Sequence, residues 1–304
     1  MSTGTNLIDR FDPRVLSTLG SLDLKARYVV EGFLNGMHRS PFHGLSVEFS
    51  EYRDYQPGDD LRHLDWRLYA RGDRLCVKKY TQETNVRTYV VIDTSASMTY
   101  RGSDGWGSKL EVACTLAAAL THLMLGQNDA VGLLTINEGD DGPIFVRPSQ
   151  KPSQFGQMLF HLQELKAAGG PRLADLLGHV ARLIHRRSIV LFFSDLLEPA
   201  ESITSVFQQL RFEGHECLIF QILDRDEMEF PFDQGTVFQD LESGQRRNVN
   251  PAAVRERYLT RFRQFMEEHR DLFRSLEMPH AVVPTHKEPW DAMTMFLLER
   301  KQRV

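Results

Sequence analysis

The strongest constraint on this chain is a set of short, almost wholly apolar runs that recur between stretches of helical periodicity. Arg87–Asp93, Ala130–Ile136, Ser188–Ser194 and Glu216–Leu223 each carry apolar or small side chains at nearly every position. A strand with one wet face alternates apolar and polar residues, whereas a run apolar on both faces belongs to a sheet covered on both sides. Between these runs lie amphipathic segments: Lys109–Leu125, Ser153–Lys166, Leu173–His185 and Ala200–Phe212. The first has Leu110, Ala113, Ala117, Leu120 and Met124 at helical spacing, a Ser108…Glu111 capping box at its start and Gly126 as terminator. Strands alternating with helices predict an α/β fold, a doubly wound and mostly parallel sheet with helices on both faces.

The flanks are read in the same way. Pro143–Arg147 predicts a short strand, Gly235–Val249 a β-hairpin, and Asn250-Pro251 an N-cap and first turn. The helix opened there carries Tyr258, Phe262, Phe265 and Met266 on one stripe, expected to face the core. A strand at Ala281–Pro284 and a helix from about Pro289 follow. Ahead of the first apolar run, Asp12–Met37 predicts a helix, broken near Gly20, and Glu51–Lys79 is densely charged. The chain therefore divides into an N-terminal helical and charged segment, 1–84, and an α/β domain, 85–304.

Composition limits the classes of partner. At 41% hydrophobic and 25% charged residues over 304 positions, the chain is ordinary globular material. A net charge of -5 speaks against duplex nucleic acid as a ligand. Cys76, Cys114 and Cys217 are scattered, a pattern expected of a reducing compartment rather than a disulfide framework. The start lacks a basic-then-apolar leader, and the most apolar window, Ala113–Gly126, is shorter than the ~18 residues of a membrane span. A cytoplasmic location with no direct membrane span is expected.

Open α/β sheets bind ligands beyond the carboxyl ends of their strands. There the sequence places Asp93-Thr-Ser95-Ala-Ser97, and a second apolar run ends in Ser194-Asp195. One carboxylate and two hydroxyls at alternate positions, with a further carboxylate from another strand, form a hard-oxygen set suited to Mg²⁺ or Mn²⁺. Asp and Ser at strand ends also serve as helix caps and turns, the blander reading. In strand context, Asp93, Ser95, Ser97 and Asp195 resemble the metal-ion-dependent adhesion site (MIDAS) of von Willebrand factor type A domains. That family usually adds a threonine in a Gly-Gly-Thr-x-Leu context. Here the stretch is Gly169-Gly170-Pro171-Arg172-Leu173, with no hydroxyl at Pro171, so the resemblance implies a degenerate site.

A longer resemblance covers the charged stretch. Arg53, Tyr55, Gly58, Asp59, Asp60, Arg62, Asp65, Trp66 and Arg71 are arranged as in the signature of domain of unknown function family 58. Leu75, Val77, Glu83, Asp224, Pro231, the Asp240–Gly244 turn and Tyr258 continue the match. Those proteins resemble von Willebrand A domains and are typically encoded beside MoxR-type AAA+ ATPases. The resemblance implies a non-enzymatic protein-binding adaptor or co-chaperone for such an ATPase, its protein client unspecified. Ser95 and Ser97 would ligate the cation, with Asp93 and Asp195 behind them directly or through water. Many relatives carry a pair of N-terminal membrane helices; this sequence shows none and resembles the shorter branch.

Between Glu51 and Lys79 six acidic and seven basic residues nearly balance, as an ion-paired lattice would. The alternative is a docking surface formed by Arg53, Asp59, Asp60, Arg62, Asp65, Trp66 and Arg71. Two other functions stay open: a metal-dependent hydrolase using the same Asp/Ser cluster, and a metal-free scaffold using the Arg53–Arg71 surface. The hydrolase lacks an evident general base. Gly102–Lys109 has glycines and a lysine but ends Gly-Ser-Lys, the wrong order for a phosphate loop. Ser95 stands where D-x-D phosphatases need a carboxylate, and the histidines show no paired-ligand spacing.

Overall fold

The computed structural model describes residues 16, 19–37, 52–54, 76–78, 87–135, 144–167, 173–184, 186–233, 236–241 and 244–301. Its main element is a six-stranded sheet in the order β10-β7-β6-β3-β4-β5. The strands are β3 (Arg87–Ile92), β4 (Ala130–Thr135), β5 (Phe145–Ser149), β6 (Ser188–Ser194), β7 (Glu216–Leu223) and β10 (His280–Pro284). All neighbours run parallel except β5, which closes one edge antiparallel to β4. Order reverses around β3, where the chain leaves first toward β4 and later returns to β6. That switch point is where an open sheet leaves a crevice for a ligand.

Why these strands are apolar throughout is visible in the two cores. Val90, Ile92, Leu191, Phe193, Phe220 and Ile222 face one side, while Tyr89, Val91, Val190, Phe192 and Ile219 face the other. On the first side pack helices α1 (Leu22–Met37), α2 (Lys109–Gly126), α3 (Gln154–Glu164) and α8 (Trp290–Lys301). The second side is covered by α4 (Leu173–Leu183), α5 (Ala200–Phe212) and the C-terminal end of α7 (Pro251–Ser275). The sheet is doubly wound, as expected. Helix α1 lies along α2 and contributes Ala26, Val29, Val30 and Phe33 to the same core.

Helix α2 is 18 residues long and apolar enough to cross a membrane by composition, but 78% of it is buried inside the fold. It is the central core helix, and the expected capping box is formed. The Ser108 hydroxyl accepts from the Glu111 N–H at 3.2 Å, and the Glu111 carboxylate accepts from the Ser108 N–H at 2.7 Å. At the sheet edge Gly132 is required by close approach, since a Cβ there would lie 2.5 Å from the Val146 carbonyl oxygen.

Two small two-stranded antiparallel sheets complete the described structure. Strands β1 (Tyr52–Asp54) and β2 (Cys76–Lys78) pair antiparallel, with Arg53 opposite Val77. Strands β8 (Thr236–Gln239) and β9 (Arg246–Val249) form the hairpin expected over Gly235–Val249. Pro251 starts α7 as expected, although the Asn250 side chain makes no capping bond. Cys114 and Cys217 are buried free thiols, and burial pushes both up to about 12.

Candidate functional site

The site is assembled from the carboxyl ends of β3 and β6, the start of α2 and the short helix α6 (Arg225–Glu229) that follows β7. Asp93 is 5% exposed at the end of β3. One of its oxygens accepts from the Ser95 N–H at 2.9 Å and the other from the Ser194 hydroxyl at 2.5 Å. Beyond it the chain turns into a 3₁₀ segment, Ala96–Thr99, which brings the Ser95 and Ser97 hydroxyls to 3.0 Å from each other. Asp195 follows β6, 2% exposed, with one oxygen accepting from the Leu197 N–H at 3.2 Å. The four residues singled out in the sequence are therefore brought to one place.

The turn after β6 is held in a conformation that L-residues rarely adopt. Leu196 has φ +56° and is fully buried, with its N–H donated to the Ser194 hydroxyl at 2.9 Å. Strain of this kind costs on the order of 1–3 kcal/mol and persists where the surroundings fix it. Here it turns the Asp195 carboxylate inward beside Asp93.

The sequence reading missed the residue that completes the cluster. Lys109, set aside with the phosphate-loop comparison, is completely buried, and its ammonium lies 2.7 Å from Asp195 and 2.6 Å from Glu227. Burial disfavours the charged form, but the two carboxylates outweigh it and hold the ammonium above the ordinary lysine range. Glu227 closes a second capping box, its other oxygen accepting from the Asp224 N–H at 2.8 Å. A signal for Lys109 exists in the sequence. A lysine in the first turn of a helix opposes the macrodipole and needs compensating carboxylates.

The electrostatics follow from this inventory. One ammonium pairs with two carboxylates, Asp195 and Glu227, and a third, Asp93, is buried within the field of Asp195, so the cluster is short of positive charge. The consequence appears at Asp93, whose pKa is raised to about 6 by burial and then by the Asp195 charge, against the pull of the Ser194 and Ser95 hydrogen bonds. A divalent cation would supply the missing charge, and two adjacent hydroxyls backed by carboxylates are a suitable hard-oxygen set. Asp93 and Asp195 already accept from internal donors on both oxygens, which favours Ser95 and Ser97 as the direct ligands. Among the described residues no group of three or more His, Cys, Asp or Glu side chains is arranged to hold a metal, so any ion here depends on the hydroxyls.

A cavity of about 1010 Å³ opens from this cluster toward the β8–β9 hairpin and α7. Its far wall is aromatic: Phe230 lies against Phe232, Phe238 and Tyr258 with ring centroids 4.7–5.6 Å apart. The stripe expected to be core is only partly so. Tyr258, Phe262, Phe265 and Met266 are half-buried, and Tyr258 lines the cavity while its hydroxyl donates to the Glu227 carbonyl at 2.7 Å. Of the charged motif, Arg53 lies in β1; Asp59, Asp60, Arg62, Asp65, Trp66 and Arg71 lie outside the described residues, as do Pro171 and Arg172.

Comparison with known proteins bears on this arrangement. Residues 51–268 match the family model described as "Protein of unknown function DUF58". The uncharacterized protein Rv1480 of Mycobacterium tuberculosis is 30% identical over 251 residues, spanning 79% of this chain and 76% of that protein. Among solved structures, an aerotolerance-related membrane protein from Bacteroides fragilis is similar at 15% identity and TM-score 0.47, over 70% of this chain and 99% of that one. The SpRpn10 VWA domain is similar at 14% identity and TM-score 0.38, over 71% and 94%. The family match takes in the charged motif, both strand ends of the oxygen cluster and the aromatic wall, and the chain belongs to the DUF58 family.

Proposed function

We propose that the protein is a non-enzymatic, cytoplasmic adaptor that binds a partner protein at the oxygen cluster, through a divalent cation, Mg²⁺ or Mn²⁺. The observation that carries this reading is the pair of Ser95 and Ser97 hydroxyls, 3.0 Å apart at the mouth of a cavity and backed by the buried carboxylates Asp93 and Asp195. A cation held by two hydroxyls keeps positions open for a carboxylate from a partner, and the nearby carboxylates strengthen its hold without filling those positions. Lys109 offsets part of the charge of Asp195 and Glu227 and leaves the hydroxyl side for the ion.

The partner we propose is a MoxR-type AAA+ ATPase, the kind of partner that the resemblance of the charged motif implies. Co-precipitation of the purified ATPase with wild-type protein in Mg²⁺, in EDTA, and with Asp93→Ala tests it. Retention in Mg²⁺ with loss in EDTA and in Asp93→Ala is the expected result. Retention under all three conditions refutes the cation-bridged mode. If Arg62→Glu alone then abolishes binding, the contact belongs to the Arg53–Arg71 surface instead.

A further inference from the structure

The two edges of the main sheet differ. At one edge β5 carries Pro148, which has no N–H, and its pairing with β4 shifts register between Val131 and Leu133. Both features blunt an edge against a further strand. At the other edge β10 pairs in regular parallel register with β7 from His280 to Pro284. The Pro279 carbonyl accepts from the Ile219 N–H at 2.8 Å, and the Thr285 N–H donates to the Leu223 carbonyl at 2.9 Å. Backbone groups alternate in direction along a strand, so the N–H groups of His280 and Val282 point away from β7. No described residue accepts a hydrogen bond from either, and Pro284 ends the run of outward donors.

Beside this edge lies a second cavity, of about 270 Å³, between α7 and the face of β10 that carries His280 and Val282. Met266, Met278 and Val282 form its apolar part, Arg270 and Arg274 are its charged groups, and no carboxylate lines it. Glu267 and Asp271, on the adjoining stripe of α7, lie outside the lining. Only Asp271 comes within ion-pair distance of either guanidinium, 3.3 Å from Arg274, with both side chains more than two-thirds exposed and the attraction correspondingly weak. Arg270 forms no ion pair with any described residue. The charge lining this edge is therefore positive, which disfavours a second copy of the same edge and suits an acidic segment. Spacing agrees. Arg270 and Arg274 are one turn apart on α7, about 6 Å along its axis. Alternate side chains of an extended strand share a face and repeat every ~6.6 Å.

We propose that the outer edge of β10 takes an extended acidic segment of a partner protein as a further strand. The segment accepts from the His280 and Val282 N–H groups, and carboxylates at two alternate positions pair with Arg270 and Arg274. Guanidinium groups take carboxylates in two-point fashion, which fixes the register of the added strand. Main-chain bonds supply attraction and the alternate side chains supply selectivity, as in other cases of strand addition. The surface shares no residue with the large cavity, so it is a separate contact from the oxygen cluster.

The probe is a fluorescent peptide, Thr-Val-Glu-Val-Glu-Val-Thr, measured by fluorescence polarisation against the full chain. Two comparison peptides carry lysine in place of both glutamates, or methyl groups on the backbone nitrogens, which block strand addition. Saturable binding of the glutamate peptide is expected, at least tenfold weaker for both comparison peptides and in Arg270→Glu/Arg274→Glu. Both arginines are exposed, and circular dichroism checks the fold; Arg270→Gln/Arg274→Gln replaces the charge reversal if that variant is unfolded. No saturable binding, equal binding of either comparison peptide, or unchanged binding in the arginine variant overturns the proposal. Binding is expected to persist in EDTA and in Asp93→Ala. Loss under both conditions puts the peptide on the oxygen cluster, which overturns this inference and leaves the cation-centred reading standing.

Discussion

Replacing Lys109 by methionine keeps most of the side-chain volume and removes the only positive charge in the buried cluster among the described residues. Asp195 and Glu227 are then left 2% and 17% exposed with no counter-ion. At 2.7 and 2.6 Å and an effective dielectric constant near 20, each contact represents about 6 kcal/mol of attraction. Most of that offsets the desolvation of the charges in the intact protein. What survives on deletion of one partner is the cost of a stranded buried charge, about 3–5 kcal/mol. Urea unfolding reads this as a lower midpoint at unchanged slope. Asp195→Asn in the Lys109→Met background should recover part of the loss, because it removes one stranded charge. A loss under about 1 kcal/mol for Lys109→Met, or strictly additive substitutions, would refute the view that Lys109 is the counter-ion of Asp195 and Glu227.

Three further outcomes follow from other parts of the fold. A Cβ on Gly102 would lie 2.2 Å from an Asp224 carboxylate oxygen, where Asp224 also accepts from the Gly102 N–H at 3.0 Å and the Thr285 hydroxyl at 2.7 Å. Gly102→Ala should therefore cost about 1–3 kcal/mol, seen as a lower Tm. Phe207 is fully buried, with rings of Phe192 and Phe273 at 5.8 and 5.2 Å, so Phe207→Ala should cost about 3–5 kcal/mol in urea unfolding. His280 titrates at about 4 because of burial and then the charges of His269 and Arg270. Its unfolded value is near 6.5, so stability is full above that pH and falls, by up to about 3 kcal/mol, as pH drops toward 4. In His280→Gln, which keeps a donor for Gln221, the decline in Tm between pH 6.5 and 4.5 should be shallower.

Much of the sheet was legible because each strand buries both faces, and nothing but an apolar run meets that demand. Ser188–Ser194, Ala200–Phe212 and Glu216–Leu223 were bounded correctly to the residue. The capping box at Ser108–Glu111 is local, which is why it could be read directly. The same locality made Asp93, Ser95 and Ser97 visible, and the order of strand ends pointed to Asp195. Lys109 escaped because its partners lie 86 and 118 residues away, and only the topology brings β6 and α6 against the start of α2. The aromatic stripe on α7 was legible only in part for a related reason, since its residues are half-buried and Tyr258 lines the cavity. Helical spacing shows which side chains share a face but not whether that face meets the core or a cavity.

Ser95 and Ser97, backed by Asp93 and Asp195, are proposed to hold a divalent cation. Titration of the full chain with Mn²⁺, followed by electron paramagnetic resonance, measures this without any partner. One saturable site is expected in the wild type, displaced by Mg²⁺ and lost in Ser95→Ala/Ser97→Ala while the far-ultraviolet circular dichroism stays unchanged. No saturable site in the wild type, or a site that survives the double substitution, would contradict it.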